Sequence, residues 1–267
     1  MDSDVIEIER KEHVATIWLN RPEKLNALNL PMWTDIPKAV QAVGDDGETR
    51  AIVIAGRGRA FTAGIDITAL ASFPPGTDVK RRHDLYHEIK RLQRSFTAFA
   101  DSPLPVIAAI HGACIGAGVD LITATDIRLA AADALFSVRE TRLGMIADVG
   151  TMQRLPKIIP AGYAAELIYT GRDVTAAEAE RIGLVNHVYA DSDALFTAAQ
   201  DLAGSIAANS PLTIRGIKHV LRAGASRPIE EALDYVALWN AAFLNSDDFV
   251  EGLTALMERR TPNFKGE

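Results

Sequence analysis

The chain has a single cysteine, Cys114, among 267 residues. One thiol closes no intrachain disulfide, so the fold must rest on its apolar core, and the usage fits a reducing compartment. A basic excess is missing too: 28 Lys and Arg face 35 Asp and Glu, a formal net charge of −7. That balance argues against a nucleic-acid partner, which needs a basic face. No apolar run approaches the roughly 20 residues that cross a bilayer. The acidic opening MDSDVIEIER lacks the apolar stretch of a secretory signal. There is no G-x-S-x-G hydrolase elbow, and Gly56-x-Gly58 lacks the third glycine of a dinucleotide fingerprint. No internal repeat, low-complexity tract or long linker occurs. These absences leave a cytoplasmic, soluble globular protein with no membrane and no nucleic-acid partner as the expectation.

What is present is an ordinary globular composition, 48% hydrophobic and 24% charged. Residues 4–10 and 13–20 predict an antiparallel hairpin, and 30–43 an amphipathic helix with Pro37 as an oddity inside it. RAIVIAG (50–56) reads as a buried strand, followed by the glycine turn GRGRAFTAGID and a short helix. After the break SFPPGTD, residues 79–100 read as a long helix. The run PVIAAI (105–110) is a second buried strand, ending in the turn HGACIGAGVD and a further helix. Gly112, Gly116 and Gly118 leave that turn free to take positive φ. Strand, turn and helix in alternation predict an α/β core with crossover connections. Beyond residue 150 the pattern is mostly helical: Thr175 with Glu178 marks an N-cap, VNHVY is a brief strand, and helices are expected over 193–209, 211–223, 228–244 and 247–259. Trp239, Phe243, Phe249 and Leu253 give the last helices an apolar side that packs on the core or on another subunit. The boundary is placed near residue 200, giving a core over 1–200 and a helical region over 201–267.

The chemistry concentrates between His111 and Gly150. Asp120, Glu140 and Asp148 lie among Ala, Ile, Leu, Val and Gly, where acids need partners or a task. The turns AFTAGID and CIGAGVD each offer a backbone N–H. Brought together, two such donors form an oxyanion hole for a carbonyl that becomes an enolate. Buried carboxylates beside it would carry protons, since burial and mutual repulsion raise their pKa toward working pH.

The segments VATIWLNRPEKLNALN, AIVIAGRGRAFTAGIDI, PVIAAIHGACIGAGVDLITATDIRLA and GLVNHVY occur in the order seen in the crotonase (enoyl-CoA hydratase/isomerase) superfamily, which the chain resembles from about residue 5 to 255. The resemblance implies an α/β spiral of ββα repeats with a helical C-terminal region that joins homotrimers, often paired into homohexamers. It implies an acyl-CoA thioester substrate whose CoA is part of the substrate, with no cofactor and no metal. Its thioester oxygen would sit between the amides of Ile65 and Ala117, within a binding set of Ala63, Gly64, Ile65, Asp66, Ile67, Ala117 and Gly118. Ala117 stands where the family commonly has Gly, but keeps its N–H.

Hydratases of the family carry two Glu, at the positions of Asp120 and Glu140. Here the first is Asp, and Asp148 adds a third acid. This set looks like the branch that moves a 3,5-dienoyl-CoA to a 2,4-dienoyl-CoA. The likeness assigns Glu140 to the proton on C2, Asp148 to C6 and Asp120 to tuning the pair. The alternatives are an enoyl-CoA hydratase or other crotonase-type enzyme, and a non-catalytic acyl-CoA-binding subunit. Blander readings also stand: Asp120 as a helix-terminal acid, Glu140 paired with Arg139 or Arg142, and Asp148 as a cap. Asp66 is expected to cap or orient the short helix after it, with Asp126 and Asp133 structural. His83 and His87 read as a solvated face and His111 as a turn residue. Arg57 and Arg59 read as loop charges or contacts to CoA phosphates.

Overall fold

A computed structural model describes residues 3–71 and 78–267. The proline-rich break at 72–77 lies outside the described residues, and so does the middle of the 69–86 stretch expected to border an acyl pocket. The hairpin forms as β1 (Ile6–Lys11) and β2 (Val14–Leu19), paired antiparallel. Asn29 caps α1 (Leu30–Gly44) by accepting from Met32 N, and Pro37 stays inside that helix. There follow β3 (Ala51–Gly56), α2 (Ile67–Ala71), α3 (Val79–Asp101), β4 (Val106–Ile110), β5 (Ala113–Ile115), α4 (Ala117–Thr123), β6 (Ile127–Ala131) and β7 (Leu135–Ser137). Next come α5 (Thr151–Ile158), α6 (Ala161–Thr170), β8 (Val174–Thr175), α7 (Ala176–Arg181), β9 (His187–Tyr189) and α8 (Ser192–Ala207). The chain closes with α9 (Pro211–Gly224), α10 (Ile229–Phe243) and α11 (Asp247–Glu258). Thr175 caps α7 by accepting from Glu178 N, as its spacing predicts.

Two sheets share the strands. The larger has the order β1-β2-β3-β4-β6-β9, parallel from β2 onward; the smaller has the order β5-β7-β8. After β3, Thr62 bridges to Cys114 of β5 in parallel and so extends the smaller sheet by one residue. The chain therefore visits large sheet, small sheet and helix in turn, three times over (β3, Thr62, α2; β4, β5, α4; β6, β7, α5). That is the ββα spiral the sequence resemblance implies. β2, β3 and β4 are buried at every residue, as parallel strands covered on both faces must be. One face packs on α1 and α3 through Trp33, Phe96 and Phe99. The other receives α8, whose Leu195, Ala199, Ala203 and Ala207 form a narrow stripe that lets the helix approach Val53, Ile107 and Leu129 closely. Each fully buried aliphatic side chain in this core contributes roughly 1.5–3 kcal/mol.

Residue 200, the expected boundary, falls inside α8; the chain leaves the sheet after Ala207. Beyond it, α9 is latched down by a buried lysine. Lys218 Nζ donates to Phe99 O at 3.2 Å and Leu104 O at 2.8 Å, and pairs with Asp126 Oδ2 at 2.7 Å. α10 has no fully buried residue, and Leu221, Leu233, Leu238, Val250 and Leu256 stand exposed on the three last helices. Among the described residues, no helix is long and apolar enough to cross a membrane.

Candidate active site

The small sheet brings the two glycine turns together. Thr62 N donates to Ala113 O and Ile115 N to Thr62 O, and Gly116 N donates to Ser137 O. Three strand ends thus lie side by side, and the residues just past them (Gly64-Ile65, Gly116-Ala117 and Glu140) emerge at one level. The last belongs to a short 3-10 turn, Glu140–Leu143. Gly64 has φ +91°, and a Cβ there would lie 2.6 Å from Ile115 O and 3.6 Å from Ala117 N. Only glycine permits this approach.

Among the described residues, neither amide of the expected hole donates to an acceptor in the protein. The bridge between Leu28 and Ile65 uses Leu28 N to Gly64 O (2.8 Å) and Asp66 N to Leu28 O (3.0 Å), which turns the Ile65 N–H to the opposite edge. Ala117 opens α4, where helix geometry supplies no acceptor. Two free N–H groups on abutting turns suit a developing oxyanion. Gly118 departs from expectation: it is helical within α4 rather than in a positive-φ turn. Its bareness serves packing, since a Cβ would meet Thr62 Cγ2 at 2.7 Å.

The acids gather behind this pair. Asp120 is 1% exposed, and its Oδ1 accepts from Thr151 N, the first residue of α5, at 2.5 Å. Burial pushes its pKa up to about 6, against the Thr151 hydrogen bonds and with help from the charge of Asp148. Glu140 Oε1 would lie 3.0 Å from a Cβ on Gly116, so its carboxyl rests on the turn that carries Ala117. Burial first, then the charges of Asp120 and Asp148, raise its pKa to about 7. Glu140 Oε2 is buried with no hydrogen-bond partner. Asp148 is half-buried, and burial raises its pKa. The shifts of Asp120 and Glu140 leave that pair partly protonated near neutrality, poised to give and take protons.

Other sequence readings sort themselves in space. The ion-pair reading of Glu140 fails: Arg139 pairs with Asp173, and Arg142 Nε reaches Thr170 O. Asp66 accepts from Thr68 N and pairs with Arg21 at 3.0 Å, so it orients its turn, while Ile67 is exposed and Ala63 N donates to Leu25 O. Asp126 and Asp133 tie backbone amides of Val106 and Gly112. Arg57 lies over Trp18 and pairs with Glu7 and Glu9, which accounts for its charge within the fold. His111 Nε2 sits 2.9 Å from Gly58 O, and His83 and His87 are exposed and face each other. Sequence reasoning missed Gln93, Thr97, Thr151 and Arg154, which hold the acid-bearing loop. Gln93 lies 55 residues from Asp148 in the chain, and no local pattern joins them.

A family model described as enoyl-CoA hydratase/isomerase matches residues 9–267. The chain is 44% identical over 255 residues to a mitochondrial Delta(3,5)-Delta(2,4)-dienoyl-CoA isomerase of Rattus norvegicus, covering 94% of this chain and 78% of that one. It is 41% identical over 267 residues to a peroxisomal Delta(3,5)-Delta(2,4)-dienoyl-CoA isomerase of Arabidopsis thaliana, covering 97% and 96%. The crystal structure of an enoyl-CoA hydratase from Bacillus anthracis superposes with a TM-score of 0.91 at 33% identity, covering 98% of this chain and all of that one.

Proposed function

The chain belongs to the enoyl-CoA hydratase/isomerase family of enzymes, and from that premise we propose that it shifts a 3,5-dienoyl-CoA to the 2,4-dienoyl-CoA. The observation that carries this reading is the third acid: Asp148 lies within electrostatic reach of both Asp120 and Glu140. The thioester oxygen accepts from the N–H groups of Ile65 and Ala117. Glu140, as carboxylate, takes a proton from C2, and the freed electron pair is shared between that oxygen and, through the diene, C6, as a trienolate. Asp148, as the acid, gives a proton to C6. The double bonds then lie at C2–C3 and C4–C5, with one proton removed and one returned. The two carboxyls reset by exchanging protons with water.

One carboxyl cannot serve both carbons, since each transfer needs heavy atoms within roughly 3 Å. Asp120, pinned by Thr151 N, keeps negative charge beside Glu140 and strengthens it as a base. Losing one oxyanion donor typically costs about 3 kcal/mol of transition-state stabilisation. The hydration reading, in contrast, needs a water held between two long acids. Asp120 is one methylene shorter than Glu and already accepts from Thr151.

The remaining parts of the reading follow the same premise. CoA belongs to the substrate, and carboxyl groups alone move the protons, with neither cofactor nor metal. A homotrimer, alone or paired into a hexamer, would cover the exposed apolar side chains of α9, α10 and α11. The buried lone Cys114 fits a reducing compartment such as the cytoplasm, whereas the two relatives above bear mitochondrial and peroxisomal names. The test is to supply 3,5-dienoyl-CoA and 2-enoyl-CoA separately. Diene absorbance growing from the first, with little water added to the second, supports the isomerase. Efficient hydration alone would favour the hydratase, and binding without turnover of either would favour a non-catalytic acyl-CoA binder.

A further inference from the structure

The two proton carriers stand on different supports. Glu140 follows β7 and is placed by the small sheet. Asp148 belongs to no strand or helix and lies between the buried Ala147 and Val149. Its loop is tied instead to α3. Gln93 Nε2 donates to Asp148 O at 2.7 Å. One turn further along the same helix face, Thr97 Oγ1 accepts from Arg154 Nη2 at 2.9 Å, and Arg154 Nη1 reaches back toward Val149 O. A side-chain amide can present either its oxygen or its nitrogen to a neighbour. Here Lys90 Nζ donates to Gln93 Oε1 at 2.7 Å, which turns the NH2 group toward Asp148. Lys90, Gln93 and the Asp148 carbonyl thus form a directed chain with no alternative polarity.

We propose that Gln93, with its amide oriented by Lys90, is a positioning residue that holds Asp148 at the far carbon of the substrate, independently of the support for Glu140. This rests on the two-acid reading above. Its consequence is separable: loosening Gln93 weakens proton delivery at C6 and leaves proton removal at C2 intact. A misplacement of about 1 Å in a reacting group costs on the order of 100-fold in rate.

The experiment uses the full chain with Gln93→Met, which keeps length and loses both hydrogen bonds, and Lys90→Met, an exposed site that leaves the fold alone. Each is incubated with 3,5-dienoyl-CoA in deuterated water, following deuterium uptake at C2 and growth of the 2,4-diene. For Gln93→Met the expected result is a drop of about 10- to 100-fold in diene formation, with C2 exchange and KM within about twofold of wild type. Lys90→Met should show a smaller drop of the same kind. Exchange and diene formation falling together in both variants, or neither falling, would overturn the assignment. Wild-type protein that neither exchanges C2 nor forms diene would sink the two-acid reading itself, so the two failures are told apart.

Discussion

Two groups of buried charges, one holding Lys218 and Arg128 and the other the three acids of the site, are built to opposite rules. In the first, every charge is matched. Lys218 meets two carbonyls and Asp126, while Arg128 donates to Leu184 O and Thr125 O. In the second, Asp120, Glu140 and Asp148 crowd together with no cation in ion-pair contact among the described residues, and Glu140 Oε2 has no partner there. Arg154, in electrostatic reach of Asp120, directs its guanidinium to Thr97 and Val149 instead. A satisfied cluster locks helices to a sheet. An unsatisfied one weakens the fold and persists where chemistry needs it.

The sharpest way to break the comparison is to remove a charge from each side. Glu140→Gln keeps the shape and removes the base, so diene formation should fall about 100- to 10,000-fold, the span general-base catalysis supplies. Steady-state kinetics on 3,5-dienoyl-CoA reads this, and a loss below tenfold would remove Glu140 from the mechanism. Lys218→Met works on the other side. It strands two carbonyls and Asp126, and should cost about 3 kcal/mol of stability in urea unfolding while leaving turnover per folded molecule unchanged.

A stability effect of similar size has the opposite sign. The pKa of Glu140 is raised from 4.5 to about 7 in the folded chain. Protonated Glu140 is therefore the form the fold prefers. Its stabilising contribution is complete below about pH 4.5 and is lost as pH rises through about 7. At pH 8 the Glu140→Gln protein should be more stable than wild type by about 3 kcal/mol, and the gain should vanish near pH 4. Equal stability of the two proteins at pH 8 would show that this carboxyl is not strained by burial.

The same contrast explains how far the sequence could be read. The buried strands, the long helices and the two glycine turns announce themselves by local pattern, and all the acids of the site lie within a stretch of 29 residues from Asp120 to Asp148. The small sheet that assembles the site is another matter. β5, β7 and β8 are two or three residues long, too short for alternation to register, and Thr62 contributes a lone bridge. Gly118 was legible as a glycine the site requires, but its task is contact with Thr62 rather than a turn, a distinction set by tertiary packing. Lys218 and Gln93 look like ordinary helix-surface residues, because their partners lie 92 and 55 positions away. Long-range hydrogen bonds leave no periodic trace.

The central claim is that two separate carboxyls move protons at two distant carbons of one acyl chain. It is tested most directly by the rate at which Asp148→Asn forms 2,4-diene from 3,5-dienoyl-CoA, with substrate binding measured alongside. The account predicts a fall of at least about 100-fold with binding nearly unchanged. Diene formation at the wild-type rate would contradict it.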